Sequence, residues 1–332
     1  MKYIKEPIHI KESDFKNRLI MPPMATSKSQ DGVVTQELLD YYDDKTRGGY
    51  FSCVITEHSY VNMQGKADPG QLSISRDSDV EGLRRIVEVI HKNGTKVIAQ
   101  INHAGAAAKK IVTGMPSSSA SAVTNVGIHK NNDEASEAMT QEQIHLVIAD
   151  FAKAAGRAKE AGFDGVEIHS AHGYLLNQFY SPLINKREDA YNGNTMEGRL
   201  RIHHEIIEAV RREVGDDYIV AVRLGGCDYM EGGSTIQDSV EASVLLESWG
   251  VDLLDLSGGI GGFIVPGHNE PGYFADMTEA IKKKVSIPVI LTGGITDIRD
   301  AEHLLEQQKA DLIGVGRAVL KDSDWAEKNM SL

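Results

Sequence analysis

GFDGVEIHSAHGYLLNQF, residues 162 to 179, decides how this chain is read. GVEIH (165–169) is a short apolar run that reads as a buried strand, and it ends on His169. His172 follows three residues later, then Gly173 and Tyr174. A buried strand that ends in two imidazoles and a phenol delivers polar groups to one place.

Working outward, the same kind of run recurs: RLIM (18–21), SCVITE (52–57), KVIAQI (96–101), IVAVRL (219–224), LLDLS (253–257), PVILT (288–292) and LIGV (312–315). These are rich in Val, Ile and Leu and do not alternate with polar residues, which fits parallel strands buried on both faces. Helical patterns lie between them, at about 35–47, 80–92, 142–161, 196–213, 236–249, 276–284 and 297–307. Ser78-Asp79-Val80-Glu81 and Thr140-Gln141-Glu142-Gln143 read as capping boxes for two of these helices. Eight strands alternating with helices predict an α/β protein with a TIM (β/α)8 barrel, a doubly wound sheet being the rival. No composition shift divides residues 1–332, so one domain is expected. The segment 105–140 shows no periodicity and reads as a long functional loop after the third strand.

In a barrel, function gathers at the C-terminal ends of the strands. Those ends carry Pro22-Pro23-Met24-Ala25, Glu57-His58, Gln100-Ile101-Asn102-His103, His169, Arg223, Ser257-Gly258-Gly259, Gly293-Gly294 and Gly316-Arg317. Two glycine motifs at strands seven and eight suit a phosphate, since glycine lets backbone amides approach an anion and Arg317 can grip it bidentately. Tight turns with a surface arginine are the structural alternative. Arg223 in a barrel mouth must be paired or face a ligand; an ion pair with a barrel carboxylate such as Glu167 is the alternative there. Gln100 points into the same mouth. His169 and His172 lack the carboxylate or thiolate cluster that a metal site needs, so no metal is expected. With Tyr174 beside them they read as donors to an oxyanion or carbonyl oxygen, the phenol delivering a proton.

The formal net charge is −13, which disfavours a nucleic-acid partner. No apolar run reaches the ~20 residues that span a bilayer. The start, MKYIKEPIHIKESDF, shows no signal-peptide pattern, and the two cysteines, Cys53 and Cys227, are far apart, so a cytoplasmic protein without a disulfide framework or iron–sulfur module is expected.

KNRLIMPPMA (16–25), VIAQINHAG (97–105), GFDGVEIHSAHGYLLNQFYSPLINKREDAYNG (162–193), VAVRLGG (220–226) and DLIGVGRAVLKD (311–322) resemble the Old Yellow Enzyme family of FMN-dependent NADH:flavin oxidoreductases, or ene-reductases. The likeness runs from about Ile4 to Trp325 and implies a short form without an iron–sulfur domain. It implies non-covalent FMN, with NADH or NADPH as electron donor and a small-molecule substrate; a homo-oligomer is compatible with it. Carried over, Pro23, Met24 and Ala25 line the isoalloxazine edge, Gln100 and Arg223 face its pyrimidine side, and Gly293, Gly294, Gly316 and Arg317 hold the phosphate. His169 and His172 bind the substrate's carbonyl oxygen and Tyr174 is the proton donor. The family's usual Thr or Cys is replaced by Ala25, which cannot hydrogen-bond the flavin C4 carbonyl. His58 stands where small residues are common and narrows the ribityl side or adds a donor. Ser27 replaces a tyrosine that short bacterial members use against substrate. The alternatives are a flavin-binding sensor, or another FMN barrel oxidoreductase with a quinone or nitro acceptor.

Overall fold

The apolar runs close into a ring in a computed structural model that describes residues 1–331 except 125 and 130–134. The strands are β1 (Leu19–Met21), β2 (Cys53–Ile55), β3 (Lys96–Asn102), β4 (Gly165–Ser170), β5 (Ile219–Cys227), β6 (Leu253–Gly258), β7 (Val289–Leu291) and β8 (Leu312–Gly314). Each pairs in parallel with the next, and β8 pairs with β1, so the sheet is a closed eight-stranded barrel. The principal helices around it are α1 (Gln36–Thr46), α2 (Val80–Lys92), α3 (Gln141–Ala161), α4 (Met196–Val214), α5 (Ile236–Ser248), α6 (Ala275–Lys282) and α7 (Ile298–Glu306). Among the described residues no helix is long and apolar enough to cross a membrane.

The absence of alternation in the strands has a direct cause. Side chains of period two point to opposite faces, and here both faces are dry. Leu19 and Met21 pack outward against the helices, while Ile20 packs inward with Cys53, Ile98, Ile219, Leu253, Ile290 and Leu312. A short hairpin, Ile8–Ile10 and Ser13–Phe15, adds Ile10 and Phe15 to this inner cluster. Truncating Ile98, fully buried there, to Ala would cost about 2–5 kcal/mol.

Thr140 caps α3 as expected: its hydroxyl accepts from the Gln143 amide at 3.2 Å, and Gln143 Oε1 accepts from the Thr140 amide at 2.9 Å. The box expected at Ser78–Glu81 does not form. Ser78 already lies inside a 3-10 turn, Asp77–Asp79, and Asp79 instead accepts from the Arg76 amide and the Ser73 hydroxyl. Glu81 pairs with Arg84.

The loop 105–140 is built of short pieces: a turn at Gly105–Ala107, a helical turn at Lys110–Thr113, and a two-residue strand pair, Ser118–Ser119 with Glu137–Ala138. Part of the loop expected there, 125 and 130–134, lies outside the described residues.

Candidate active site

The inward positions of the strands turn from apolar to polar toward their C-terminal ends. On β3 the sequence is Ile98, Gln100, Asn102; on β4 it is Gly165, Glu167, His169; on β5 it is Ile219, Ala221, Arg223; on β6 it is Leu253, Asp255, Ser257. Register sets the partners. Gln100 lies level with Glu167, and its Nε2 donates to Glu167 Oε1 at 2.7 Å. Arg223 lies level with both His169 and Asp255, and its Nε is 3.1 Å from Asp255 Oδ2. The carboxylate paired with Arg223 is therefore Asp255, not Glu167. Burial pushes the Glu167 carboxyl up to about 8, reinforced by the charge of Asp255, and burial lifts Asp255 to about 6 against the pull of Arg223.

Above this layer a cavity of about 360 Å³ opens, within the ordinary range for a ligand site. Pro23, Met24 and Ala25 border it, as do His58, Gln100, His169, His172, Tyr174 and Arg223. Gly293, Gly294, Gly316 and Arg317 border it too. The fold thus brings these residues to one cavity, while Ser27, Glu57, Asn102, His103, Gly258 and Gly259, also noted in the sequence, do not line it.

The turn after β4 presents the second histidine and the phenol. His172 and Gly173 are both left-handed, with φ of 58° and 72°. For His172 this conformation costs on the order of 1–3 kcal/mol, held in place by Asn177 Oδ1 accepting from the Gly173 amide at 2.8 Å. The rings of His169 and His172 meet edge to face at 5.3 Å, and those of His169 and Tyr174 likewise at 5.3 Å. Burial, reinforced by the charge of Arg223, depresses both imidazoles well below the usual histidine range, so both are neutral at pH 7. Burial raises the Tyr174 phenol to about 12, so it keeps its proton. The arrangement can hold an acceptor oxygen and deliver a proton beside it.

His58 borders the same cavity. Gln71 Oε1 accepts from the Ala67 amide at 2.7 Å, which leaves Gln71 Nε2 to donate to His58 Nδ1 at 2.6 Å. The His58 proton is then on Nε2. Burial lowers this imidazole to about 4, so it too is neutral.

At the other end, Gly293 and Gly294 have φ of 106° and 69°. A Cβ on Gly293 would lie 2.7 Å from the Tyr273 ring. Among the described residues neither glycine amide finds an acceptor. Arg317 is exposed and its Nη2 donates to the Tyr273 hydroxyl at 3.1 Å. Free amides beside an arginine, an apolar wall at Pro23–Ala25 and a cation at Arg223 fit a phosphorylated planar ring system such as FMN.

Several neighbours went unassigned in the sequence. Ser257 Oγ lies 2.7 Å from His172 Nε2. His129, from the long loop, stacks on Tyr174 at 5.4 Å, and its Nε2 is 3.0 Å from the His172 carbonyl oxygen. Tyr273 packs against the Gly293 turn. Ser257 stands among the strand ends noted in the sequence, which gives it no role there; His129 sits in a segment without periodicity and carries no such signal.

The chain matches the NADH:flavin oxidoreductase / NADH oxidase family over residues 4–331. It is 37% identical over 320 residues to an NADH oxidase of Thermoanaerobacter brockii, covering 94% of this chain and 48% of that protein. It is 37% identical to an NADPH dehydrogenase of Halalkalibacterium halodurans, covering 95% of this chain and 90% of that one. Thus the chain spans about half the length of the first relative. The structure of the Old Yellow Enzyme homologue from Zymomonas mobilis superposes with a TM-score of 0.84 at 26% identity, covering 98% of this chain and 91% of that one. Fold, cavity and sequence agree: the chain belongs to the Old Yellow Enzyme family of FMN-dependent NAD(P)H:flavin oxidoreductases.

Proposed function

We propose that this protein is an ene-reductase acting on α,β-unsaturated carbonyl compounds. The observation that carries the reading is the pairing of two neutral imidazoles, His169 and His172, with the protonated phenol of Tyr174 in one cavity. Pro23, Met24 and Ala25 would lie along the flavin edge, with His58, Gln100 and Arg223 beside the ring, and Gly293, Gly294, Gly316 and Arg317 would hold its phosphate. When bound, FMN supplies the redox chemistry, accepting hydride from NADH or NADPH and passing it to the β-carbon of the alkene.

The protein's own groups do the rest. His169 and His172 donate N–H groups to the carbonyl oxygen, which draws electron density from the β-carbon and steadies the enolate charge. Tyr174 delivers its proton to the α-carbon. The raised affinity of the phenol for its proton keeps the donor loaded at neutral pH. Arg223, which lines the cavity, would hold positive charge near the bound ring and favour its electron-rich reduced form.

An anaerobic visible spectrum tests this reading. The expected result is a flavin spectrum that bleaches with NADH or NADPH and returns on adding 2-cyclohexenone. A protein that bleaches but is not reoxidised by the enone would overturn the substrate class while leaving the flavin in place.

A further inference from the structure

A carbonyl oxygen only accepts hydrogen bonds, so each imidazole that holds it must present an N–H. Neutral imidazole has one N–H, and its position is set by what the other nitrogen meets. For His169 the choice is simple: Nδ1 is buried without a partner, and Nε2 is the nitrogen left for the cavity. A buried bare lone pair is the cheaper orphan, so the proton belongs on Nε2.

His172 is different. Its Nε2 is engaged by Ser257 Oγ at 2.7 Å. Its Nδ1 has no partner among the described residues and is not among the buried unpaired atoms, so it is the cavity-facing nitrogen. Two arrangements are possible. If His172 Nε2 carries the proton, it donates to Ser257, Nδ1 offers the cavity only a lone pair, and the Ser257 hydroxyl finds no protein acceptor among the described residues. Ser257 is 1% exposed, and His172 is the partner of its hydroxyl among the described residues. That arrangement strands a buried O–H donor, at a desolvation cost. If Ser257 donates to a bare Nε2 instead, no donor is stranded and His172 offers Nδ1–H to the cavity.

We propose that Ser257 is a positioning residue: its hydroxyl donates to His172 Nε2 and holds the His172 proton on Nδ1, aimed into the cavity. It acts on the carbonyl oxygen through the imidazole. The strained turn at His172 contributes to the same end, since the left-handed backbone at φ 58° presents the ring with Nε2 toward β6. The functional consequence rests on the ene-reductase reading, whereas the proton's position does not.

The test is ¹⁵N NMR of the oxidised holoprotein labelled at histidine, with the His172 signals assigned by their loss in His172→Asn. The expected wild-type pattern is a protonated Nδ1 and a bare Nε2. In Ser257→Ala the Nδ1–H population is expected to fall about tenfold or more, since losing one buried hydrogen bond of ~1.4 kcal/mol is a factor of ten. Ser257→Thr, which keeps a hydroxyl, restores it. A proton on Nε2 in the wild type, or a pattern unmoved in Ser257→Ala, overturns the proposal. In turnover, kcat/KM for 2-cyclohexenone is expected to fall by a similar factor in Ser257→Ala with FMN content unchanged, and to recover in Ser257→Thr. A wild type that shows Nδ1–H yet does not reduce the enone supports the role of Ser257 and refutes the substrate reading alone.

Discussion

Arg223 and Asp255 face each other across β5 and β6 with 3.1 Å between Nε and Oδ2, inside a layer where Asp255 is fully buried. Glu167 is buried in the same layer, held by Gln100. Two buried carboxyls and one guanidinium in a single layer make the site sensitive to any change in charge. Asp255→Asn is expected to lower the unfolding free energy by about 3 kcal/mol, because it leaves a buried cation unpaired. The double replacement Arg223→Met with Asp255→Leu should recover most of that loss. Urea unfolding of the apoprotein measures both.

The same layer predicts the pH dependence of stability. Burial raises Glu167 from 4.5 to about 8 and Glu57 from 4.5 to about 7. Over that window the folded state holds protons that the unfolded chain has released, so stability falls as pH rises. Burial lowers His58 from 6.5 to about 4, and His103 and His203 from 6.5 to about 3. Below 6.5 the unfolded chain takes up protons that these folded histidines refuse, so stability is lost as pH falls. His169 and His172 act in the same direction. The melting temperature is therefore expected to peak between about pH 6 and 7, and Glu167→Gln should flatten the decline on the alkaline side. Calorimetry across pH 5 to 9 (about the window of these groups) decides it; a rise in Tm from pH 7 to 8 would contradict the assignment.

Tyr174→Phe removes the phenol and leaves the ring in its place against His129 and His169. Enone turnover should drop by roughly 10²–10⁴, with reduction of the flavin by NAD(P)H kept. Stopped-flow measurement of the two half-reactions separates them. Equal loss in both would assign Tyr174 to a different task.

Ala25 borders the cavity without a donor. Ala25→Cys adds one and is expected to raise the flavin midpoint potential by about 20–30 mV, the worth of one hydrogen bond in a two-electron couple. Slower reoxidation by substrate and faster reduction by NAD(P)H should accompany it. An unchanged potential would refute the idea that the alanine tunes the flavin.

Gly293→Ala places a methyl 2.7 Å from the Tyr273 ring at a φ of 106°. FMN affinity is expected to fall about tenfold or more, since the displaced Tyr273 also accepts a hydrogen bond from Arg317. Gly267→Ala is the control: φ is 81° but nothing lies within 4 Å of the added methyl. It should show the backbone cost alone. Fluorescence titration of apoprotein with FMN reads the difference.

Much of this molecule was legible along the chain. Helix α2 spans residues 80–92 as its periodicity predicts, because a stripe of Leu83, Ile86, Val87 and Ile90 must face the barrel. The strands followed from apolar runs that can only be satisfied by burial on both faces. Strand ends are less legible: RLIM and LIGV overrun β1 and β8 by one residue, PVILT overruns β7 by one at each end and SCVITE overruns β2 by three in all, because pairing rather than composition sets the limit. The Gly162–Gly193 segment with its two histidines and tyrosine identified the family and the cavity together. What the chain could not reveal was which group meets which. Arg223 pairs with Asp255 rather than Glu167 because the β4–β5–β6 register sets Glu167 level with Ala221, two residues below the arginine. His58 carries its proton on Nε2 because Gln71, thirteen residues away, is oriented by the Ala67 amide. Ser257 meets His172 across 85 residues of sequence. Local sequence decides where a side chain can point, since that depends on period and burial; the register of one strand against its neighbours decides what it finds there.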